Sequence, residues 1–326
     1  MSARLADYDY QLPRALIATR PLPRREDARM LVLYRKEQRI EHRRFVDLRE
    51  FLRPGDLLVL NNTRVVAARR FSDDGKIEFL FLERLNSMQW KCLVRPGKKM
   101  RLGATVQVGG IRGHIAEICS NGERIIAFEK EMAAHEGGQL PLPPYIRRQS
   151  DADDETRYQT VFADAPGALA APTAGLHFTS EILGELPHVF VTLHVGLGTF
   201  RPVHAENVAD HRMHAERFEI SDMAAQAINQ ADRIIAVGTT SLRVLESAPR
   251  DAGKIVAQSG ETNLFIYPPY NFRAVDSLLT NFHLPRSTLL MLVSAFAGRE
   301  FVRSAYNEAI RENYRFYSYG DCMLIV

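Results

Sequence analysis

Two histidines lie in segments of small residues, where an imidazole that titrates near neutral pH can meet a ligand. His177 follows residues 170–175, whose small side chains let the backbone approach a ligand closely. His194 ends a predicted buried strand, and α/β folds bind ligands at the carboxyl ends of strands. The structural alternative for the first segment is a turn into a helix that is capped by Thr179. The structural alternative for His194 is a hydrogen-bonded histidine in the core. The candidate ligand contacts in these segments are Thr173, Gly175, Gly196, Gly198 and Thr199.

A third segment predicts an anion site at the start of a helix. Residues 233–237 form a predicted strand that runs through a glycine into three hydroxyl residues, which open a helix. The free amides and the dipole at a helix N-terminus favour a carboxylate or a phosphate. A helix cap alone would account for one hydroxyl but not for three, and the arginine one turn later can instead form a structural ion pair. The candidate contacts are Gly238, Thr239, Thr240, Ser241 and Arg243.

Two further segments combine polar and aromatic side chains in a way that packing does not require. In one segment, polar residues precede residues 287–298, a stretch too apolar for a surface helix. We therefore predict that the helix is buried in the core and that the polar residues before it belong to a site. The other, residues 314–321, contains aromatic faces, an arginine and a carboxylate that suit the stacking of a base, although an aromatic core cluster has the same composition. The candidate contacts are Thr280, Asn281, His283, Arg315, Tyr319 and Asp321.

Several common enzyme motifs are missing from the sequence. It contains no P-loop and no nucleophile elbow, and Gly196-Leu197-Gly198 lacks the third glycine of a dinucleotide-binding fingerprint. Residues 211–216 hold two histidines and a glutamate, but their spacing differs from that of helical zinc motifs and does not favour a metal. The three cysteines are scattered, which gives no disulfide framework and fits a reducing cytosol.

The candidate segments all follow a boundary between two regions of different pattern. Residues 56–130 contain short strand-like runs that predict a small β-barrel or sandwich. Asn121-Gly122 predicts a hairpin in it, because both central positions of a type I′ turn need positive φ. Proline-rich residues 139–145 and acidic residues 151–155 mark the boundary.

Beyond the boundary, predicted strands alternate with predicted helices, which favours an α/β architecture with a mainly parallel sheet or barrel. The longest strongly apolar stretch, residues 287–298, is shorter than the roughly 20 residues of a spanning helix, so no membrane association is expected. The predicted strands are 190–195, 233–237, 264–267 and 322–326, and the predicted helices are 221–231, 240–247, 288–297 and 300–313.

The charge is divided unevenly along the chain, although the net charge is only +3. Residues 1–150 carry 28 Lys and Arg against 18 Asp and Glu, a balance of +10, whereas residues 151–326 carry 14 against 21, a balance of −7. This separation favours a polyanionic partner on the basic half, and a solvated basic face is the alternative. The candidate RNA contacts are Arg64, Lys98, Lys99 and Arg101.

Taken together, these segments closely resemble the S-adenosylmethionine:tRNA ribosyltransferase-isomerases of queuosine biosynthesis. The resemblance rests on the segments above and on further matching stretches, and it runs from near residue 9 to near residue 323. The sequence departs from the family's pattern at Pro269 and in residues 71–75, which look shortened. The further matching stretches are Asp9-Tyr10-Gln11-Leu12-Pro13, residues 54–59, Asn61-Asn62-Thr63-Arg64-Val65, residues 140–146 and Tyr158-Gln159-Thr160-Val161.

The resemblance implies a reaction and a fold. Such enzymes move the ribosyl part of S-adenosylmethionine to the aminomethyl group of 7-aminomethyl-7-deazaguanine at the tRNA wobble position. The products are epoxyqueuosine-tRNA, adenine and methionine. The implied fold is a larger barrel-like α/β domain, residues 1–64 plus 151–326, with a smaller inserted β-barrel domain, residues 65–150. We expect a cytoplasmic monomer without metal or redox cofactor, with S-adenosylmethionine as a consumed co-substrate.

The implied reaction needs a base that removes a ribose 5′ hydrogen next to the sulfonium. Imidazole has a pKa near the operating pH, so His177 and His194 are predicted as the catalytic residues, with an Asp or Tyr of residues 314–321 as the remaining choice. His214 lies next to Glu216 and is expected to form a salt link, and His283, which precedes Pro285 and an apolar helix, is expected to make a structural hydrogen bond. Two other classes stay open: a non-catalytic RNA-binding protein, and an RNA methyltransferase that would release S-adenosylhomocysteine.

Overall fold

The computed structural model describes residues 4–196, 198, 203 and 205–326. The chain forms two compact units. The larger unit contains the residues up to Arg64, Pro144–Arg147 and Arg157–Val326. The smaller unit contains Val65–Pro143 and Arg148–Thr156.

Strands and helices have the following bounds. The helices are α1 Ala152–Arg157, α2 Ser180–Gly184, α3 Asp222–Gln230, α4 Gly238–Ser247, α5 Thr288–Ala297 and α6 Arg299–Arg311. The strands are β1 Arg29–Tyr34, β2 Arg39–Arg44, β3 Asp56–Asn61, β4 Thr63–Val65, β5 Arg69–Phe71, β6 Glu78–Arg84, β7 Gln89–Arg95, β8 Thr105–Val108, β9 Ile111–Ile118, β10 Arg124–Phe128, β11 Ala165–Ala168, β12 His188–Leu193, β13 Glu216–Ile220, β14 Arg233–Val237, β15 Arg250–Asp251, β16 Lys254–Ile255, β17 Gln258–Thr262, β18 Ser277–Asn281 and β19 Cys322–Ile325.

The larger unit is built on a nine-stranded sheet in the order β17-β13-β12-β3-β14-β18-β19-β1-β2. Four neighbouring pairs are parallel (β12/β3, β3/β14, β14/β18 and β19/β1), and the other four are antiparallel. The predicted α/β class is confirmed, but the prediction of a mainly parallel sheet was wrong. One reason lies between β18 and β19, where two helices, α5 and α6, each reverse the chain, so β19 returns antiparallel to β18.

The central strands are apolar on both faces because each face covers a separate core. In β3, Leu57 and Val59 pack into one core while Leu58 and Leu60 pack into the other. Successive side chains of a strand point to opposite faces, so a continuous apolar run is what a sheet covered on both sides needs. This burial fixes the positions at which β3, β14 and β18 end.

Helices α3, α5 and α6 lie close to their predicted bounds, and α5 matches its prediction. The hydroxyl of Ser287 accepts a hydrogen bond from the amide of Leu290, which caps the start of α5, and Gly298 ends it with a φ of +88°.

Residues 264–267 form no strand, contrary to the prediction. The carbonyl of Leu264 accepts a hydrogen bond from Nε of Arg243 (3.1 Å), and Ile266 is buried in the core, so this apolar run packs without joining the sheet.

The smaller unit contains a six-stranded antiparallel sheet in the order β5-β6-β7-β10-β9-β8. Its inward side chains alternate with outward ones, as Trp90, Cys92 and Val94 of β7 illustrate. The predicted hairpin joins β9 and β10, but its turn is not type I′. Of the two turn residues only Gly122 has positive φ (+85°), and its amide bonds the carbonyl of Cys119, which makes a three-residue loop.

Among the residues that the structure describes, no helix has the length and apolar character needed to cross a membrane.

Candidate active site

A cleft opens in the larger unit where the parallel strands β14 and β18 end at the same edge of the sheet. Its empty volume, including the part open to solvent, is about 680 Å³. All five of the segments that the sequence analysis selected contribute to its lining, although they are spread over about 150 residues of the chain. The predicted site residues that line it are Thr173, Gly238, Thr239, Thr240, Thr280, Asn281 and His283.

The N-terminus of α4 supplies one wall of the cleft. Gly238 has a φ of +89°, which lets the chain turn directly from β14 into the helix. Oγ1 of Thr240 is buried and has no hydrogen-bond partner in the structure. Ser241 does not line the cleft, because its hydroxyl donates to the carbonyl of Val237 (2.9 Å) inside the core. The wall therefore presents an unsatisfied hydroxyl beside the first amides of a ten-residue helix.

The end of β18 supplies the opposite wall. The hydroxyl of Thr280 lies 2.9 Å from Nε2 of His283, and burial lowers the pKa of His283 to about 3. The imidazole is therefore neutral at neutral pH. The amide of Asn281 donates to the carbonyl of Tyr317 (2.9 Å), while its Oδ1 is buried without a hydrogen-bond partner of good geometry among the described residues. An oriented imidazole and a buried amide oxygen thus lie within three residues of each other at one strand end.

Two aromatic residues complete the cleft: Tyr317, which belongs to the selected segment of residues 314–321, and Tyr145, which was not predicted as a site residue. Tyr145 and Tyr317 pack with their ring centroids 4.7 Å apart, and the hydroxyl of Tyr145 bonds that of Ser318. Burial raises the pKa of Tyr145 to about 12, so its hydroxyl stays protonated. Tyr145 lies in the stretch of residues 140–146 that carried the resemblance, and that match was the only signal available for it in the sequence.

His177 lies outside this cleft and lines a second, smaller one in the same unit. It is almost fully buried, and its Nε2 has no hydrogen-bond partner of good geometry. Burial, assisted by the charges of Arg25 and Arg315, lowers the pKa of His177 to about 4, although its hydrogen bonding with the side chain of Asn281 opposes the shift. Gly175 serves packing, because a Cβ there would lie 2.7 Å from the ring of Phe162.

His194 also lies outside the cleft. Its Nδ1 is 2.9 Å from the hydroxyl of Thr63, and its ring fills the space beside Gly167, where a Cβ would approach it to 2.8 Å. Burial and the charge of Arg217 lower the pKa of His194, while Glu219 opposes the shift. The neighbouring Thr199 lies outside the residues that the structure describes, and the catalytic roles of His177 and His194 stay predictions.

Glu216 and Arg243 form a buried ion pair, 4% and 3% exposed, instead of facing the cleft. Glu216 also accepts a hydrogen bond from the amide of Gly196 (2.9 Å), so the pair fixes the chain just after His194. Gly198 approaches His214, where a Cβ would lie 3.4 Å from the imidazole.

The C-terminal aromatic segment is held by a buried carboxylate. Asp321 accepts hydrogen bonds from the amides of Arg29 (2.9 Å) and Arg315 (2.8 Å), and burial raises its pKa in spite of these bonds. Arg315 donates to the carbonyl of Arg20, and Tyr319 lines the second cleft. None of the three lines the first cleft.

The predicted RNA contacts are solvent-exposed. Lys98, Lys99 and Arg101 lie in and just after a short 3-10 helix of the smaller unit. Arg64, in the larger unit, donates to the carbonyl of Ala163 (2.6 Å). Within the described part of the chain, no three His, Cys, Asp or Glu side chains come together as metal ligands would.

The fold and the cleft together define an α/β protein with an enzyme-like pocket at the carboxyl ends of parallel strands. The chain belongs to the family described as "Queuosine biosynthesis protein", whose model matches residues 5–325. The resemblance found in the sequence is thereby confirmed.

Curated relatives match the chain over almost its whole length. Proteins named S-adenosylmethionine:tRNA ribosyltransferase-isomerase from Desulforamulus reducens and Halothermothrix orenii are 46% and 48% identical, and each match covers 99% of this chain and 100% of the relative. A solved structure, the S-adenosylmethionine tRNA ribosyltransferase of Thermotoga maritima, is 38% identical with a TM-score of 0.57, covering 98% of this chain and 100% of that one.

Proposed function

We propose that the protein is an S-adenosylmethionine:tRNA ribosyltransferase-isomerase of queuosine biosynthesis. The observation that carries the proposal is the cleft itself, in which segments that resembled this family separately meet in one cavity. The name that the full-length relatives carry supports it. The enzyme transfers the ribosyl part of S-adenosylmethionine to the aminomethyl nitrogen of 7-aminomethyl-7-deazaguanine in tRNA and isomerises it to the epoxycyclopentane of epoxyqueuosine.

The products test the reaction class directly. Incubation with S-adenosylmethionine and tRNA that carries the deazaguanine precursor is expected to release adenine and methionine in equal amounts. Mass spectrometry of the wobble nucleoside is expected to show the added ribosyl-derived mass. Release of S-adenosylhomocysteine would instead identify a methyltransferase, and tRNA binding without any small-molecule product would identify a non-catalytic RNA-binding protein.

We assign the two units different parts of the work. The larger unit holds the cleft and therefore the chemistry, and the smaller unit is an inserted β-barrel whose basic surface contacts RNA. The two edge strands of its sheet, β5 and β8, are linked through Asp73, which follows β5. The amide of Asp73 donates to the carbonyl of Gln107 (2.9 Å), and its carboxylate accepts hydrogen bonds from the amides of Gly109 and Gly110. The enzyme works as a cytoplasmic monomer without a metal or redox cofactor.

The base that starts the reaction is His283 in this proposal. It is the described histidine that lines the first cleft, and Thr280 fixes the orientation of its ring. The imidazole is neutral in the empty cleft and so has a free electron pair, but burial lowers its pKa to about 3. The bound substrates must raise that pKa for the imidazole to take the proton from the carbon next to the sulfonium. His177 and His194, the bases predicted from the sequence, instead hold the walls behind the cleft.

The start of α4 anchors the methionine carboxylate of S-adenosylmethionine. The first amides of the helix, its dipole and the unsatisfied hydroxyl of Thr240 all favour an anion at this point. We expect Thr240→Val to weaken S-adenosylmethionine binding about 10-fold to 100-fold, the usual value of one hydrogen bond to a charged group, with tRNA affinity unchanged.

Isothermal titration with each substrate measures this difference. Thr192→Val is the matched control, because that half-buried threonine bonds Asn62 away from the cleft and should leave both affinities unchanged. Selective loss of tRNA affinity in Thr240→Val would assign the helix start to RNA instead.

The basic surface of the smaller unit is expected to contact tRNA phosphates. Changing Lys98, Lys99 and Arg101 together to Ala should reduce the slope of log affinity against log salt by about 2 to 3, because each lost phosphate contact removes nearly one released counterion. S-adenosylmethionine binding should not change. The matched control changes three exposed arginines of α6 to Ala, and an equal effect there would contradict the assignment; these residues are Arg299, Arg303 and Arg311.

A further inference from the structure

A second cleft in the larger unit lies directly behind the first. It is lined by Arg25, Arg157, His177 and Tyr319, among others, and its empty volume, including the part open to solvent, is about 310 Å³. Ser318 contributes to the lining of both clefts. His177 of the second cleft interacts with Asn281 of the first. A molecule seated in the first cleft is therefore separated from the second by single side chains.

The second cleft carries concentrated positive charge. Arg157 donates from its two Nη atoms to the carbonyls of Leu22 and Pro23, and Arg25 donates to the carbonyls of Gln159 and Leu176. The carbonyl partners of Arg157 hold its guanidinium group in place without neutralising its charge. Within the described residues, no carboxylate forms an ion pair with Arg157.

A buried donor of this cleft is left without an acceptor: among the described residues, Nε of Arg157 has no hydrogen-bond partner. Nη1 of Arg315, whose charge acts on His177, is also buried without a described partner, although Arg315 does not line the cleft. An unsatisfied buried donor on a charged group is costly, and it can be satisfied by a ligand only where its side chain borders a cleft, as Arg157 does. The carboxylate nearest to Arg315, that of Asp321, accepts the backbone amides of Arg29 and Arg315. The chemistry of the cleft is therefore that of an anion site.

We propose that the second cleft binds a backbone phosphate of the RNA substrate, with Arg157 as its principal contact and Arg25 beside it. The inference rests on the proposed function, which supplies a polynucleotide next to the first cleft. S-adenosylmethionine carries no phosphate, and guanidinium forks match the oxygen geometry of phosphates. A phosphate held here would fix the position of the nucleotide whose base enters the first cleft.

The test compares Arg157→Gln with a matched control, using an anticodon stem-loop RNA and measuring affinity across a range of salt concentrations. Arg250→Gln is the control, because Arg250 also donates to two carbonyls, those of Gly253 and Arg273, and also has a buried unpartnered Nε, but lines neither cleft. We expect Arg157→Gln to weaken RNA binding roughly tenfold and to reduce the salt slope by about 0.7 to 0.9. S-adenosylmethionine binding and the unfolding midpoint should match those of Arg250→Gln.

A second measurement separates a phosphate contact from a disturbed backbone. Methylphosphonate groups, which are uncharged, replace one phosphate at a time around the target nucleotide. At one position the substitution should weaken wild-type binding but have no further effect on Arg157→Gln. The proposal is overturned if the salt slope of Arg157→Gln equals that of wild type, or if no single position shows this dependence. Absence of any RNA binding by the wild-type protein would overturn the proposed function as well.

Discussion

Replacing His283 with alanine is expected to lower the rate of epoxyqueuosine formation by about 10²–10⁴-fold, the usual effect of losing a positioned general base. The imidazole lines the first cleft, and its Nε2 lies 2.9 Å from the hydroxyl of Thr280. Both substrates should still bind, because the proposed anchors lie on other elements. The effect is therefore expected in kcat and not in the affinities.

Exchange of the ribose 5′ hydrogens with solvent deuterium measures the step that the base performs. His283→Ala should abolish this exchange, whereas His188→Ala should retain it, since His188 is a half-buried histidine of β12 outside both clefts. Thr280→Val should give an intermediate rate, because it releases the ring without removing it. If His283→Ala exchanges normally while His177→Ala or His194→Ala does not, the base is the histidine predicted from the sequence.

Replacing Arg243 with alanine is expected to lower the free energy of unfolding by about 3–5 kcal/mol. The change leaves the carboxylate of Glu216 buried without its ion-pair partner, and only the amide of Gly196 still donates to it. It also removes the hydrogen bond to the carbonyl of Leu264. Urea denaturation at neutral pH, analysed with an unchanged m-value, measures the loss.

Two control variants define the origin of this loss. Arg286→Ala breaks the exposed pair with Asp9 and should cost about 0–1 kcal/mol. The double variant Arg243→Met with Glu216→Leu should recover most of the stability, because it removes both buried charges and keeps apolar volume. A loss below about 1 kcal/mol in Arg243→Ala would show that the pair contributes little to stability.

Local chemistry was sufficient to predict several elements. The bounds of α5 follow from an apolar run between the serine that caps it and the glycine that ends it, and these signals lie within a few residues of each other. The segments that line the first cleft were also evident, because small and polar residues after a buried strand have few purely structural explanations. Full-length resemblance then connected them to one family.

Tertiary packing decided which residues of each segment line the cleft. Thr240 and Ser241 are adjacent and chemically alike, yet one lines the cleft and the other bonds the carbonyl of Val237. The sequence analysis predicted Asp321 as a ligand contact, but in the structure its carboxylate accepts hydrogen bonds from two backbone amides. Sequence cannot separate such cases, because a buried polar side chain has the same residue type whether its partner is the protein or a substrate.

The direction of the strands and the existence of the second cleft also required the assembled fold. An apolar run predicts a strand buried on both faces but not whether its neighbours are parallel, since that depends on how many helices reverse the chain between them. Arg25 and Arg157 are 132 residues apart and lie in no motif, so only the folded chain shows that they share one cleft. Contacts between distant residues carry little local signature, because their geometry is set by the packing of the whole unit.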